Sequence, residues 1–121
     1  MLEKAVAAVK TNKAKALDIF NKGEGGFLDR DLYPYCFKIS DGRNVATQEK
    51  SVLGKDVRTM KNSTGRAFGQ EIYDAAQEGK ISEVSYMWPR PGPDQTPVTK
   101  VTFITRVGDL GCAVGYYPAS Q

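Results

Sequence analysis

Apolar positions in the first twenty residues recur with a helical period. From Leu2 to Phe20 they are Leu2, Val6, Val9, Ala16, Leu17 and Phe20, at steps of three, four and seven, with Lys and Asn between them. That spacing predicts one amphipathic helix of roughly five turns, packing a single face on a sheet. "NKGEGG" ends it, and Gly23 suits a left-handed C-terminal cap. The period then shortens to two. Tyr35, Phe37 and Ile39 alternate with Cys36, Lys38 and Ser40, a strand running into the turn signal Asp41-Gly42, with Asn44 to Gln48 as its return. Pro34 stands near the start of the first strand, where a missing N–H does least harm.

"SVLGKDVRTMKNSTG" reads as a connection with one helical turn around Val57 to Met60. "RAFGQEIYDAAQEGK" predicts a second helix, with Phe68, Ile72 and Ala75 or Ala76 on one face and Gly79 as its stop. Strands over Ile81 to Trp88 and Val98 to Val107 flank "PRPGPDQTP", whose four prolines and one glycine exclude regular structure. "GDLG" turns into a last strand, Gly111 to Tyr117. Hairpin strands around a long N-terminal helix imply an α+β fold with an antiparallel sheet. The expected organisation is one domain over 1–121, with 1–22 as the leading helix and 23–121 carrying the sheet.

Composition narrows the chemistry. With 121 residues, 40% of them hydrophobic and 26% charged, the chain has the profile of an ordinary globular domain. Its net charge of +3 is scattered without a run of like sign, so no nucleic acid is expected as a partner. No apolar run approaches the ~20 residues of a membrane span. "MLEKAVAAVK" lacks the apolar central block of a signal peptide.

The chain contains no histidine. That removes Ser-His and Cys-His nucleophiles, imidazole bases and His-containing zinc sites. "GEGGF" lacks the lysine and spacing of a phosphate loop. An enzyme is therefore not expected, nor a metal or another cofactor. Cys36 and Cys112 are too far apart for a CxxC redox motif, which leaves two buried thiols or one disulfide.

The strand "VTKVTFITRV" divides by parity. Val101 and Phe103 share a side with Thr99 and Thr105, suited to packing beneath the helix; Lys100 and Thr102 share the other with Val98 and Ile104. In the preceding strand Val84, Tyr86 and Trp88 are on one side. If Tyr86 meets Lys100 across the hairpin, two rings and a cation converge beside the proline loop. Such a place suits a small anion, since ligand pockets are mostly apolar with a few placed polar groups. The competing reading makes Lys100 a solvated edge residue and Trp88 a core cap.

Four segments in order, "YPYCFKISDGRNVAT", "LGKDVRTMKNSTGRAFGQEI", "EVSYMWPRPG" and "KVTFITRVGDLGCAVGYYP", resemble the single Cache domain, a PAS-like extracytoplasmic sensor module of bacteria. The likeness spans Phe20 to Pro118, and the leading helix fits it. The family pattern corresponds to Tyr35 and Phe37, Asp41-Gly42, Ala46, Gly54-Lys55, Tyr86 and Pro89, Lys100, and Gly115-Tyr116. One departure is that an Ala-His pair in the family is Ala46-Thr47 here.

The resemblance implies a five-stranded antiparallel sheet in the order 2-1-5-4-3, a helix on one face and a ligand on the other. Tyr35, Phe37, Thr47, Tyr86, Trp88, Lys100 and Thr102 would then surround a small carboxylate or related metabolite. It also implies that Cys36 and Cys112 lie on neighbouring strands. A bridge there would close a loop of roughly 75 residues and contribute about 4 kcal/mol in the chain-entropy account. Cache sensors commonly sit between membrane helices and feed a kinase, cyclase or chemotaxis domain. This chain looks more like the small free-standing members, exported to the periplasm or secreted after loss of a signal peptide, with a membrane receptor or kinase as partner. Two further expectations go with it: pairing of two copies through Leu2, Val6 and Val9, and, as an alternative, a structural module that has kept the fold without a ligand.

Overall fold

The computed structural model describes residues 2–27, 32–48, 50–61, 65–89, 93–94 and 96–118. Arg90, Pro91, Gly92 and Gln95 of the proline-rich connection lie outside the described residues. The chain runs through α1 (Leu2–Thr11), α2 (Lys13–Lys22), β1 (Pro34–Lys38), β2 (Asn44–Ala46), 3-10 turns at Lys50–Val52 and Val57–Thr59, α3 (Phe68–Ala75), β3 (Ser82–Pro89), β4 (Pro97–Val107) and β5 (Leu110–Tyr116). The five strands form one antiparallel sheet in the order β2-β1-β5-β4-β3. This is the α+β, PAS-like arrangement expected.

The leading helix is two helices, not one. Asn12 takes an extended backbone (φ −160°, ψ 98°) and its side-chain oxygen accepts from the Lys15 N–H at 3.2 Å. An Asn that caps a following turn competes with continuation of the helix before it. The break lets both halves face the sheet. Leu2, Ala5 and Val9 of α1 and Ala16 and Phe20 of α2 are buried together with Cys36, Val107, Leu110, Cys112 and Val114. The pairing face expected at Leu2, Val6 and Val9 is therefore not on the surface, because Leu2 and Val9 are core residues of this chain and Val6 packs against them. Gly23 does close α2 in the left-handed conformation (φ 71°).

Gly79 is not the stop of α3. The helix ends at Ala75, and Ala76 is already extended. Tertiary contacts decide this: Ala76 is buried, and the Gln77 carbonyl accepts from the Arg106 N–H at 3.3 Å, tying residues 77–80 to the end of β4. Gly79 occupies the tight turn between the bridged Gln77 and Lys80.

Strand parity divides the core into two. Cys36, Leu110, Cys112 and Val114 point under the helices. Phe37, Ile104 and Ala113 point the other way, against Val57, Phe68, Ile72 and Ala76. Cys36 and Cys112 are directly opposite in the β1–β5 ladder and form a disulfide across it. Of the two readings left open by the cysteines, the bridge is the one found.

Candidate ligand-binding site

β5 is the central strand, and its residues facing away from the helices are small: Gly111, Ala113 and Gly115. Long side chains from the neighbouring strands lie over them. A Cβ added at Gly111 would come within 2.5 Å of the Phe37 ring, and one at Gly115 within 2.4 Å of Lys100 Cε. The 3-10 turns and α3 roof this face, leaving a cavity lined by Tyr33, Tyr35, Asn44, Thr47, Val52 and Met60, with Phe68, Ile72, Tyr86, Trp88 and Lys100 completing it. The space between the walls is about 390 Å³ including the open mouth, of which about 30 Å³ can hold the centre of a water-sized group. Since one water needs roughly 10–15 Å³ by that measure, the pocket admits a ligand of few heavy atoms.

The hairpin register left open by the proline loop is settled. Tyr86 is directly opposite Lys100, and Trp88 opposite Val98. Lys100 is 4% exposed, so it is not a solvated edge residue. Its ammonium lies 5.6 Å from the centre of the Tyr33 ring and 5.5 Å from that of Tyr117. Ring faces attract cations, and the more so where water is excluded. Tyr117 is itself held by a 2.9 Å hydrogen bond from its hydroxyl to the Pro89 carbonyl.

Beside the ammonium is a group of hydroxyls. Thr102 donates to the Tyr86 phenol at 3.1 Å. Tyr35 is half-buried as a residue, but its phenol is directed inward to Tyr86 and Thr102. Burial pushes it well above its ordinary 10.0, and the nearby Tyr86 pushes the same way. Tyr86 is also raised by burial, against hydrogen bonds from Thr102 and Tyr35 that lower it. Both phenols are therefore neutral near pH 7 and can donate to an acceptor.

The far wall is apolar and aromatic. Phe68 stacks on Tyr86 with ring centres 4.1 Å apart and meets Trp88 edge-on at 5.2 Å. Trp88 thus lines the cavity rather than plugging the helix-covered core. Thr47 arrives from the β2 end, where its N–H donates to the Asn21 side chain of α2 at 3.0 Å. Asn21 in turn donates to the Val45 carbonyl at 3.1 Å, and Gln48 to the Phe20 carbonyl at 2.6 Å. The end of α2 and this pocket edge are one hydrogen-bonded unit.

Of the seven residues expected around the site, Tyr35, Thr47, Tyr86, Trp88 and Lys100 line the cavity. Thr102 lies behind it, fully buried, bonded to Tyr86. Phe37 is outside it, since its ring covers Gly111 and packs against Tyr73 at 5.9 Å. Sequence reasoning missed Tyr33, Asn44, Val52, Met60, Phe68 and Ile72 as wall residues. The apolar face of α3 was legible at Phe68 and Ile72; that it faces a cavity was not.

A profile of the Cache domain matches residues 10–118. The chain belongs to the Cache domain family. No curated protein gives a significant match. Among solved structures, a methyl-accepting chemotaxis protein from Vibrio parahaemolyticus superposes with a TM-score of 0.75 at 23% identity, covering 96% of this chain and 82% of that one. A periplasmic sensor domain of a chemotaxis protein gives 0.70 at 21%, covering 95% and 83%. A Cache chemosensory domain described for carboxylic acid recognition gives 0.68 at 19%, covering 89% and 72%. At these identities the likeness is one of fold.

Proposed function

We propose that this Cache domain is an extracytoplasmic sensory module that binds a small carboxylate against Lys100. The observation that carries the reading is the buried Lys100 ammonium on a cavity wall, directly across the ladder from Tyr86, with phenols beside it and an apolar wall beyond. A charge pair in such a site is far stronger than in water. Tyr35, Tyr86 and Thr47 offer hydroxyls to the second carboxylate oxygen. Val52, Met60, Ile72 and Trp88 suit a short aliphatic tail. Among the described lining residues none is a carboxylate, so the wall does not favour a ligand ammonium. The solved neighbour described for carboxylic acid recognition supports the same ligand class. The Cys36–Cys112 bridge supports an oxidising compartment, periplasmic or secreted. The chemotaxis neighbours support a membrane receptor or kinase as the destination of the signal, and binding rather than catalysis as the role.

One observation favours the alternative, a module that kept the fold without a ligand: inside its walls the cavity has room for only about two or three water-sized groups. A thermal-shift screen of short organic acids and amino acids decides between them. A ligand at a hundred times its Kd stabilises by about 2.7 kcal/mol, so binding raises the melting temperature measurably. At least one short acid is expected to do so, with the shift lost in Lys100→Ala. No shift with any acid, or an equal shift in the variant, overturns the carboxylate reading.

A further inference from the structure

We propose that Gly115 is a positioning residue: by lacking a side chain it lets the Lys100 stem cross β5, and so places the ammonium where the site prefers an anion to a neutral ligand. The inference rests on the carboxylate reading for its second half and on geometry alone for its first.

Thr102 pairs with Gly115 across the β4–β5 ladder, and Lys100 lies two residues before Thr102 on the same face. A Cβ at Gly115 would stand 2.4 Å from Lys100 Cε, 2.8 Å from Thr102 Oγ1 and 3.3 Å from Lys100 Nζ. Real atoms do not approach so closely, so the stem follows its course only because residue 115 has no Cβ. Its backbone is not left-handed, unlike that of Gly23, so space rather than conformation accounts for glycine here. Glycine inside a strand costs order and removes a packing group, which is offset where another chain must approach closely.

Gly111 is the informative contrast. The atoms nearest its missing Cβ belong to the Phe37 ring, a fully buried core group with no freedom to move. Those nearest Gly115 are the far end of a four-carbon stem and a hydroxyl. A methyl at 111 would press on the core. A methyl at 115 meets the lysine end most closely, so the lysine must swing away from Tyr33 and Tyr117 while the Thr102 hydroxyl gives by a smaller amount, which moves the charge.

The test is Gly115→Ala, with two readouts. The first needs no ligand. In the wild type the ε-methylene protons of Lys100, close to the Tyr33 and Tyr117 rings, should carry ring-current-shifted NMR signals, and these should return toward ordinary lysine values in the variant. The second compares acetate, propionate and butyrate with acetamide, propionamide and butyramide by calorimetry. The wild type should prefer acid over amide by about tenfold or more, the scale of a charge-assisted hydrogen bond. Gly115→Ala should lose most of that preference while amide binding stays nearly unchanged, whereas general loosening would lower both together. If Gly115→Ala does not fold, the Lys100→Ala/Gly115→Ala double variant should recover much of the stability, since the closest clash, that with the stem, is gone.

Unmoved Lys100 signals, an intact acid preference in the variant, or a double variant no better folded than Gly115→Ala would overturn the proposal. Acids that bind neither better than amides nor at all in the wild type would instead remove the carboxylate reading, leaving the NMR comparison to decide whether Gly115 positions the lysine.

Discussion

The two faces of this sheet are built from alternate residues of the same strands, yet they are different materials. Under α1 and α2 the layer is apolar: Ala5, Val9, Ala16, Phe20 and Val114 close around the Cys36–Cys112 bridge. On the opposite face the same strands present Tyr35, Tyr86, Lys100 and Thr102, with glycines under the longest chains and a cavity left over. This small domain divides its labour between the two faces. One face buries apolar area and a covalent tie, so the other can hold a charge and hydroxyls whose burial adds little stability by itself.

The largest effect on stability is expected at the bridge. Replacing Cys36 and Cys112 by alanine is expected to lower unfolding free energy by about 4 kcal/mol, since the bridge joins residues 76 apart. Denaturant unfolding measures the loss, and under conditions where the variant is folded its acid-over-amide preference should match the wild type. A variant that folds fully but has lost that preference would show that the faces are not independent.

A smaller effect is expected on the pocket face. Tyr86→Phe removes the acceptor of the Thr102 hydroxyl while leaving the stack on Phe68. It should cost about 1 kcal/mol of stability by the same unfolding measurement, but weaken carboxylate binding relative to Lys100-independent ligands. An unchanged acid affinity would remove Tyr86 from the site.

The mildest distinction is one of pH. Tyr35 and Tyr86 have raised values in the fold and an ordinary 10.0 outside it. The folded chain therefore holds these protons more tightly than the unfolded chain. Their contribution is complete below pH 10 and declines as pH rises beyond it toward the folded-state values. Ultraviolet titration of phenolate absorbance should show these two phenols silent while the protein is folded, ionising only as it unfolds. Early titration of either phenol would mean that the cavity is wet.

Periodicity made much of this readable. The strand over Tyr35 and Phe37, the helix bearing Phe68 and Ile72, and the parity that separates Lys100 from Val101 all follow from spacing, because a strand alternates by two and a helix repeats by 3.6. The break at Asn12 was not read, because the apolar period runs through it unbroken and only the cap geometry marks the change. Gly79 misled for a related reason: a good stop signal counts for nothing once Ala76 is buried and Gln77 and Glu78 bond to the end of β4. The family resemblance put Phe37 among the site residues; it shares the pocket's face, but its ring lies over Gly111.

Residue order alone settled which side chains share a face, where turns occur, and the family to which the folded chain belongs. The Cys36–Cys112 bridge, implied by the family resemblance, is present, while the meeting of Tyr86 with Lys100 and the stem resting on Gly115 belong to the folded state alone. Each joins groups from separate strands, and pattern along one strand says nothing of its register against another. That register is set by how the strands pack together, and it is what turned a lysine in an alternating strand into a buried charge at a cavity wall.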